Sequence, residues 1–295
     1  MRVQCPNCKP KGSLSDSRTI SKQGTFRRKS DRKVIQRFQC KICKKHFSAA
    51  TFDPCYRQLK RQFNTVLEEL LVSEVSQRRS AYILKLNRKT IKRKFIFLGI
   101  QAKAKFERYN IPFPKAKIVE FDDMETFEHS KCKPLSITLA VEAKTRRILG
   151  FTVSQMPAKG LLSKRALKKY GFRRDERAEG RRILFQRLQP LIEPTAVIKS
   201  DQNPHYPEDV RRHFPQAIHL AYAGKRGAIV GQGELKKVGF DPIFSLNHTC
   251  AKIRGDVNRL IRRTWCTTKK RERLELHLAM QALYHNRALL AKKRV

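Results

Sequence analysis

Between residues 56 and 104 the apolar positions recur at intervals of three and four: Leu59, Phe63, Val66, Leu67, Leu70, Leu71 and Val75. That spacing predicts an amphipathic helix. A short helix follows over 79–84, then a turn at Lys85-Leu86-Asn87. A third helix is predicted over 88–98, with Ile91, Phe95 and Leu98 inward and Arg88, Lys89, Lys92, Arg93 and Lys94 outward. Short helix, three-residue turn and basic helix make a helix-turn-helix whose second helix enters a major groove. The competing reading is a three-helix bundle with a solvated basic face. Tyr109, Pro112 and Pro114 mark 105–115 as a linker.

Beyond residue 115 the period changes to that of strands. Runs at 118–122, 135–141 and 148–153 form a meander, its second and third strands joined around Lys144-Thr145. A long basic helical region over 163–189 points Leu184 and Leu188 inward and ends at Pro190. Next come a buried strand at 195–199, a helix at 207–213, a strand at 218–222 and a Gly-rich loop at 224–233. A long helix from about residue 241 follows, and a last helix over 274–290 carries Leu276, Met280, Leu283 and Leu290 near one stripe. The order βββ-α-β-α-β-α predicts a mixed α/β sheet with an antiparallel edge meander. The whole chain is then a multi-domain α+β protein divided at 1–50, 51–104, 105–115 and 116–295.

Length and charge sharpen this picture. The chain has 295 residues, enough for two domains and a small third. Sixty-six Lys and Arg face 25 Asp and Glu, a net charge of +41. Such an excess repels itself unless a polyanion is its normal neighbour, so nucleic acid is the expected partner. No stretch approaches the roughly 18 apolar residues of a membrane span, and the opening MRVQCPNC has no apolar signal region. A cytoplasmic, nucleoid-associated protein is expected, with no membrane partner. Secreted proteins and most small-metabolite enzymes are excluded.

Four of the eight cysteines form two C-x-x-C pairs, Cys5/Cys8 and Cys40/Cys43, with 31 residues between them. Each pair is a knuckle that presents two thiolates to one tetrahedral Zn²⁺. The bland reading is cysteines paired by chance in redox or core roles. The intervening segment has too few apolar residues to fold alone, so metal is expected to supply much of its folding free energy. His46 and Cys55 are substitute ligands in principle, with a surface and a core role respectively as the simpler reading.

Carboxylates are scarce, and five fall within nine residues: Glu120, Asp122, Asp123, Glu125 and Glu128. Their mutual repulsion points to a divalent cation among them. Asp201 follows the apolar strand Ala196-Val197-Ile198, at the carboxyl end where open α/β sheets place ligands. If those strands are neighbours, Asp122 and Asp201 converge and share Mg²⁺ or Mn²⁺ for phosphodiester chemistry. For Asp201 the alternative is a turn or cap role in Ser-Asp-Gln-Asn-Pro.

The N-terminal C-x-x-C…C-x-x-C-x-x-x-F, the V-E-F-D-D-M strand, the later K-S-D and the terminal N-R-L-I-R-R-T-W-C-T-T-K-K resemble a bacterial insertion-sequence transposase. The group is the one with a zinc ribbon, a helix-turn-helix and a ribonuclease-H-like DDE catalytic domain, and the likeness spans nearly the whole chain. It implies nicking at the terminal inverted repeats, transfer of the freed 3′-hydroxyl into target DNA with Mg²⁺, and a homo-oligomer on paired ends. Asp122 and Asp201 match the first two acids of the triad. The family's third acid lies early on the last long helix, with a base seven residues on. Here the matching pair is Asn247 and Arg254, a departure, since Asn is a neutral ligand. His248 beside it, Glu234 in G-Q-G-E-L-K-K, and Asp256 with Arg263 are alternates.

Downstream, Arg259, Arg262, Arg263, Lys269, Lys270, Arg271 and Arg273 form a basic track around Trp265, which is either core or a base-stacking platform. Two rival functions remain. A catalytically inactive DNA-binding relic or regulator on the same ends is favoured by Asn247. A structural RNA-binding protein would use the basic surface and leave the acidic cluster unexplained.

Overall fold

Alternating apolar residues in 34–40 and the short run at 46–48 build the first sheet of a computed structural model that describes residues 3–8, 19–223, 241–261 and 266–292. The chain divides into two units, Met1–Val66 and Leu67–Val295. In the first, strands β1 (Ile20–Arg27), β2 (Val34–Cys40) and β3 (His46–Ser48) form an antiparallel sheet in that order. Phe38 and Phe47 stack with ring centroids 5.5 Å apart. With Cys5 and Cys40 they make a core cluster of four buried residues among the described ones. So small a core cannot hold a fold by burial alone. Leu59, expected on a helical face, lies outside any helix and is exposed, because the chain turns there and regular helix begins only at Asn64.

The second unit begins within α1 (Asn64–Leu71), followed by α2 (Gln77–Ile83) and α3 (Arg88–Tyr109). Ser76 Oγ accepts from the Arg79 N–H and Asn87 Oδ1 from the Lys89 N–H, so each of the last two helices starts on a side-chain cap. The third helix runs well past Leu98, into the segment read as a linker. The reason is its stripe Ile91, Phe95, Leu98, Ala102 and Phe106, all buried, which continues the helical period for another two turns. Lys94 is a second correction: it is buried rather than outward, because it lies beside Phe95 on the packed side.

A five-stranded sheet follows, of β4 (Ala116–Phe127), β5 (Pro134–Glu142), β6 (Ile148–Gln155), β7 (Ile192–Asp201) and β8 (Ile218–Tyr222). The order is β6-β5-β4-β7-β8; β5 is antiparallel to both its neighbours, and β4, β7 and β8 are parallel. The predicted basic helix is two helices, α4 (Leu162–Tyr170) and α5 (Arg177–Leu188). Gly171 at φ +72° separates them, a positive-φ conformation that glycine adopts without strain. The remaining helices are α6 (Tyr206–His213), α7 (Phe244–Asp256) and α8 (Arg271–Lys292).

Val119, Phe121, Ala196 and Ile198 project from one sheet face into a core with Leu184, Phe185 and Leu188 of α5 and Tyr206 and Val210 of α6. Residues of the other parity, Glu120 among them, face α7. Helix α8 packs on α3 and on the β6 side of the sheet. Asn286 of α8 bonds both backbone groups of Ile148 on edge strand β6, and the Asn110 amide donates to the carbonyls of Ile148 and Leu149. The edge is thereby covered by side chains rather than left to pair with another strand.

The α3–α8 contact is close because Gly99 meets Leu276: a β-carbon on Gly99 would stand 2.6 Å from Leu276 Cβ and 3.3 Å from its Cα. Gly99→Ala is therefore expected to destabilise the chain by about 1–3 kcal/mol, read as a lowered urea midpoint. Leu276→Ala in the same chain should not restore it, because the clash is with the β-carbon.

Candidate functional site

The parallel ladder between β4 and β7 pairs Glu120 with Lys199, and two steps further along each strand stand Asp122 and Asp201. Parity puts both carboxylates on one face, at the end of β7 where pairing with β4 stops. Asp122 Oδ1 accepts from the Asp123 N–H at 2.7 Å and the Tyr206 hydroxyl at 3.2 Å. Asp201 Oδ1 accepts from the Asn203 N–H at 3.1 Å. Burial, then the negative charge of Asp201, pushes the Asp122 carboxyl up from 3.8 to about 7. Tyr206 is fully buried, and burial with the charges of Asp123, Asp122 and Asp201 raises its pKa, so it stays a phenol that donates to Asp122. Asp122 and Asp201 thus stand on one face of neighbouring parallel strands.

The other acids of the 120–128 cluster have partners of their own, which corrects the reading of all five as one metal site. Asp123, on the opposite face, accepts from the Thr138 hydroxyl and lies 3.7 Å from the buried Arg181 guanidinium. Arg181 also pairs with Asp209 and covers the Tyr206 ring, its centre 5.4 Å from the centroid. Glu125 pairs with Lys159 at 2.8 Å and Glu128 with Lys133 at 2.9 Å. Glu120, 3% exposed, accepts from the Leu246 N–H at 2.8 Å. It therefore caps the first turn of α7 from the sheet and fixes the entry of that helix. Burial raises its pKa, opposed by the Leu246 N–H and Lys199.

Asn247 lies on the first turn of α7, exposed, with its Nδ2 donating to Asp241 at 2.9 Å. Cys250, three residues on, is buried, and its thiol is pushed up to about 12 by burial, with the Asp122 charge adding to the rise. Helix α7 thus passes the acid pair, and Arg254 follows one turn later, half-buried. The His248 ring instead sits against the Arg146 guanidinium at 3.0 Å, and burial and that charge lower its pKa. A ring held by a cation is a poor hard-metal ligand. Asp256 is engaged with Lys252 and Gln281 at the far end of the helix. Glu234, the 224–233 loop, Arg262, Arg263 and Trp265 lie outside the described residues. Two contributors escape a reading of the sequence: Tyr206 and the capping role of Glu120. Tyr206 comes five residues after the aspartate of K-S-D, and nothing in the intervening Gln-Asn-Pro-His signals its contact with Asp122.

Arg88, Lys89, Lys92 and Arg93 are all exposed on the first two turns of α3. They form two i, i+4 rows, 88/92 and 89/93, and so one cationic face. Among the described residues, no helix is long and apolar enough to cross a membrane.

In the first unit the Sγ atoms of Cys5, Cys8, Cys40 and Cys43 all lie within 4.8 Å of one another, with Cys5–Cys43 at 3.5 Å and Cys8–Cys40 at 3.9 Å. Tetrahedral Zn²⁺ with Zn–S near ~2.3 Å needs sulfurs about 3.8 Å apart, so the tetrad fits a structural zinc. The Cys43 thiol is drawn down to about 6, chiefly by the Lys45 backbone N–H. His46 is exposed and bonded to Gln39, and Cys55 lies against the Asn64 amide, so neither belongs to the cluster.

No protein-family model matches the chain, and no curated protein matches it.

Two outcomes follow from these geometries. Cys40→Ser, or chelation, should empty the tetrad and unfold the 20–48 sheet, measured as loss of bound zinc together with loss of amide-exchange protection there. For Asp122, a folded pKa raised above 3.8 to about 7 means the folded chain keeps a proton that the unfolded chain has lost between those values. Stability therefore falls as pH rises from about 4 to 7. Asp122→Asn should add about 2–4 kcal/mol at pH 8 and almost nothing at pH 4, measured by denaturant midpoints at both pH values.

Proposed function

We propose that the chain is a transposase that binds terminal inverted repeats, nicks DNA there and transfers the freed strand into target DNA. The observation that carries this reading is the acid pair: Asp122 and Asp201 share one face where two central parallel strands diverge, in a chain of net charge +41. The strand order β6-β5-β4-β7-β8 with β5 reversed supports reading 116–295 as ribonuclease-H-like. The capped α2–turn–α3 unit with its cationic face supports a helix-turn-helix, and the cysteine tetrad supports a zinc ribbon ahead of it.

Asp122 and Asp201 are the residues that would hold Mg²⁺ or Mn²⁺. The donor set fits: two hard carboxylates, one of them driven up to about 7 by burial and by the other's charge, gain most from a divalent cation between them. When bound, such an ion activates a water or 3′-hydroxyl and stabilises the leaving oxygen. The protein's own part is positional. Tyr206 and the Asp123 N–H fix the Asp122 carboxylate, and Glu120 fixes α7 across it. Asn247 contributes a neutral amide oxygen, its nitrogen being held by Asp241. Arg254 binds a phosphate from the same face of α7, two turns along. Arg88, Lys89, Lys92 and Arg93 hold phosphates of the recognised end, and paired ends call for a homo-oligomer at the nucleoid.

Asn247 where the resembled family has an acid favours a second reading, a DNA-binding protein that occupies the same ends without cutting. Labelled duplex carrying the inverted repeats that flank the gene, incubated with Mg²⁺ or Mn²⁺, separates the two. The first reading expects 3′ nicks and joined products that vanish in Asp201→Ala while end binding persists. Cleavage that survives Asp122→Ala combined with Asp201→Ala sinks the mechanism, and tight binding with no cut in the wild type selects the second reading.

A further inference from the structure

The segment 157–174 is cationic throughout: seven cations (Lys159, Lys164, Arg165, Lys168, Lys169, Arg173 and Arg174) and no acid. Helix α4 inside it turns only the Leu162–Ala166–Tyr170 stripe toward the protein, and Ala166 alone of these is fully buried. Lys164 and Lys168 point the opposite way, with Arg165 and Lys169 along one flank. Large apolar side chains stand among these charges. Leu161 is 100% exposed, Leu167 60% and Phe172 85%. A segment that exposes both charge and large apolar side chains suits a ligand that offers both phosphates and flat apolar faces.

The segment is held in place rather than loose. Arg173 donates to the carbonyls of Met156 and Pro134, and Ser163 Oγ donates to the Ala158 carbonyl. Phe172 is thus projected between an anchored Arg173 and the positive-φ turn at Gly171. Its location follows from the sheet. Thr126 of β4 pairs with Leu135 of β5, which pairs with Gln155, so the chain leaves β6 at the same end of the sheet toward which β4 runs after Asp122. Lys159 then pairs with Glu125, three residues, or about 10 Å, along β4 from Asp122 and, like Asp123, on the other face of the sheet.

We infer that 157–174 is a docking surface for unpaired DNA at the end of the sheet that carries the Asp122–Asp201 site, with Lys164, Arg165, Lys168, Lys169 and Arg174 on phosphates and Phe172 against an unstacked base. This rests on the DNA-cutting reading above and names the form of DNA that this end of the sheet takes. Charge decides the class of partner, since seven cations with no acid complement a polyanion. The apolar groups decide the form: duplex offers such a surface phosphates only, whereas an unpaired strand also offers base faces to stack on. Strand transfer needs an unpaired end close to the acids, and this surface would hold one at their end of the sheet.

The test uses the full chain and fluorescence anisotropy on three probes: oligothymidylate, the flanking repeat as blunt duplex, and the same duplex with an unpaired 3′ tail. Changing Lys164, Arg165 and Lys168 together to Ser, all exposed positions, should make the salt dependence on oligothymidylate shallower by about 2 in log–log slope. Phe172→Ser should weaken oligothymidylate and tailed duplex by at least about 5-fold and leave the salt slope and the blunt duplex unchanged. If the wild type binds DNA and both variants match it on every probe, the docking surface is wrong while the DNA reading stands. Equal loss on blunt and unpaired probes in Phe172→Ser also overturns it, since base stacking would not be the contact. A wild type that binds none of the probes removes the function and the surface together.

Discussion

Everything at the candidate site depends on the parallel pairing of β4 with β7 in the register that sets Glu120 beside Lys199. Side chains alternate along a strand, so a slip of one residue would send Asp122 and Asp201 to opposite faces. The register is secured by burial on the other parity: Val119 and Phe121 from β4, with Ala196 and Ile198 from β7, enter one core with α5 and α6. Apolar packing on one face thus fixes the distance between two charges on the other. The cost appears as the raised pKa of Asp122, a carboxyl largely withdrawn from water and facing a like charge.

In a chain with 25 acids against 66 bases, several acids of the second unit each have a definite bond. Asp123 and Asp209 neutralise the buried Arg181, which in turn covers the ring of Tyr206. Tyr206 hands a hydroxyl back to Asp122. The scaffold of the site is therefore a chain of polar contacts that begins in a salt bridge on one sheet face and ends at the acid pair on the other. Glu120 has the corresponding role for α7, where a strand carboxylate replaces the missing side-chain cap at the helix start. The two units are stabilised by different physics. The second has an apolar core against its sheet, and the first has a small cluster of Phe38 and Phe47 around four thiols poised for one metal.

Much of this is legible in the chain itself. The two C-x-x-C pairs identify the tetrad, because ligand spacing within a knuckle is local. The strands at 118–122, 135–141, 148–153, 195–199 and 218–222 all occur, because short apolar or alternating runs bounded by turn residues are local signals. The capped helices around Ser76 and Asn87 are local too. Expectation and structure part where a distant element sets the outcome. The segment 105–115 is helical as far as Tyr109 because the apolar stripe of α3 goes on meeting α8, and Lys94 is inside for the same reason. Charge counting makes the five acids of 120–128 one site, and only the partners across the sheet separate them.

Which residues repeat at which period, where cysteines pair and that the chain carries a net charge of +41 are properties of the chain itself, and sequence alone suffices for them. That Asp122 meets Asp201 while Asp123 does not, and that Glu120 ends on Leu246, come from the folded arrangement only. So does the place of Asn247, on the first turn of the helix whose start Glu120 caps. Those outcomes belong to register and layer, which are settled by the packing of residues some 80 to 130 positions apart and leave no mark on any local stretch of sequence.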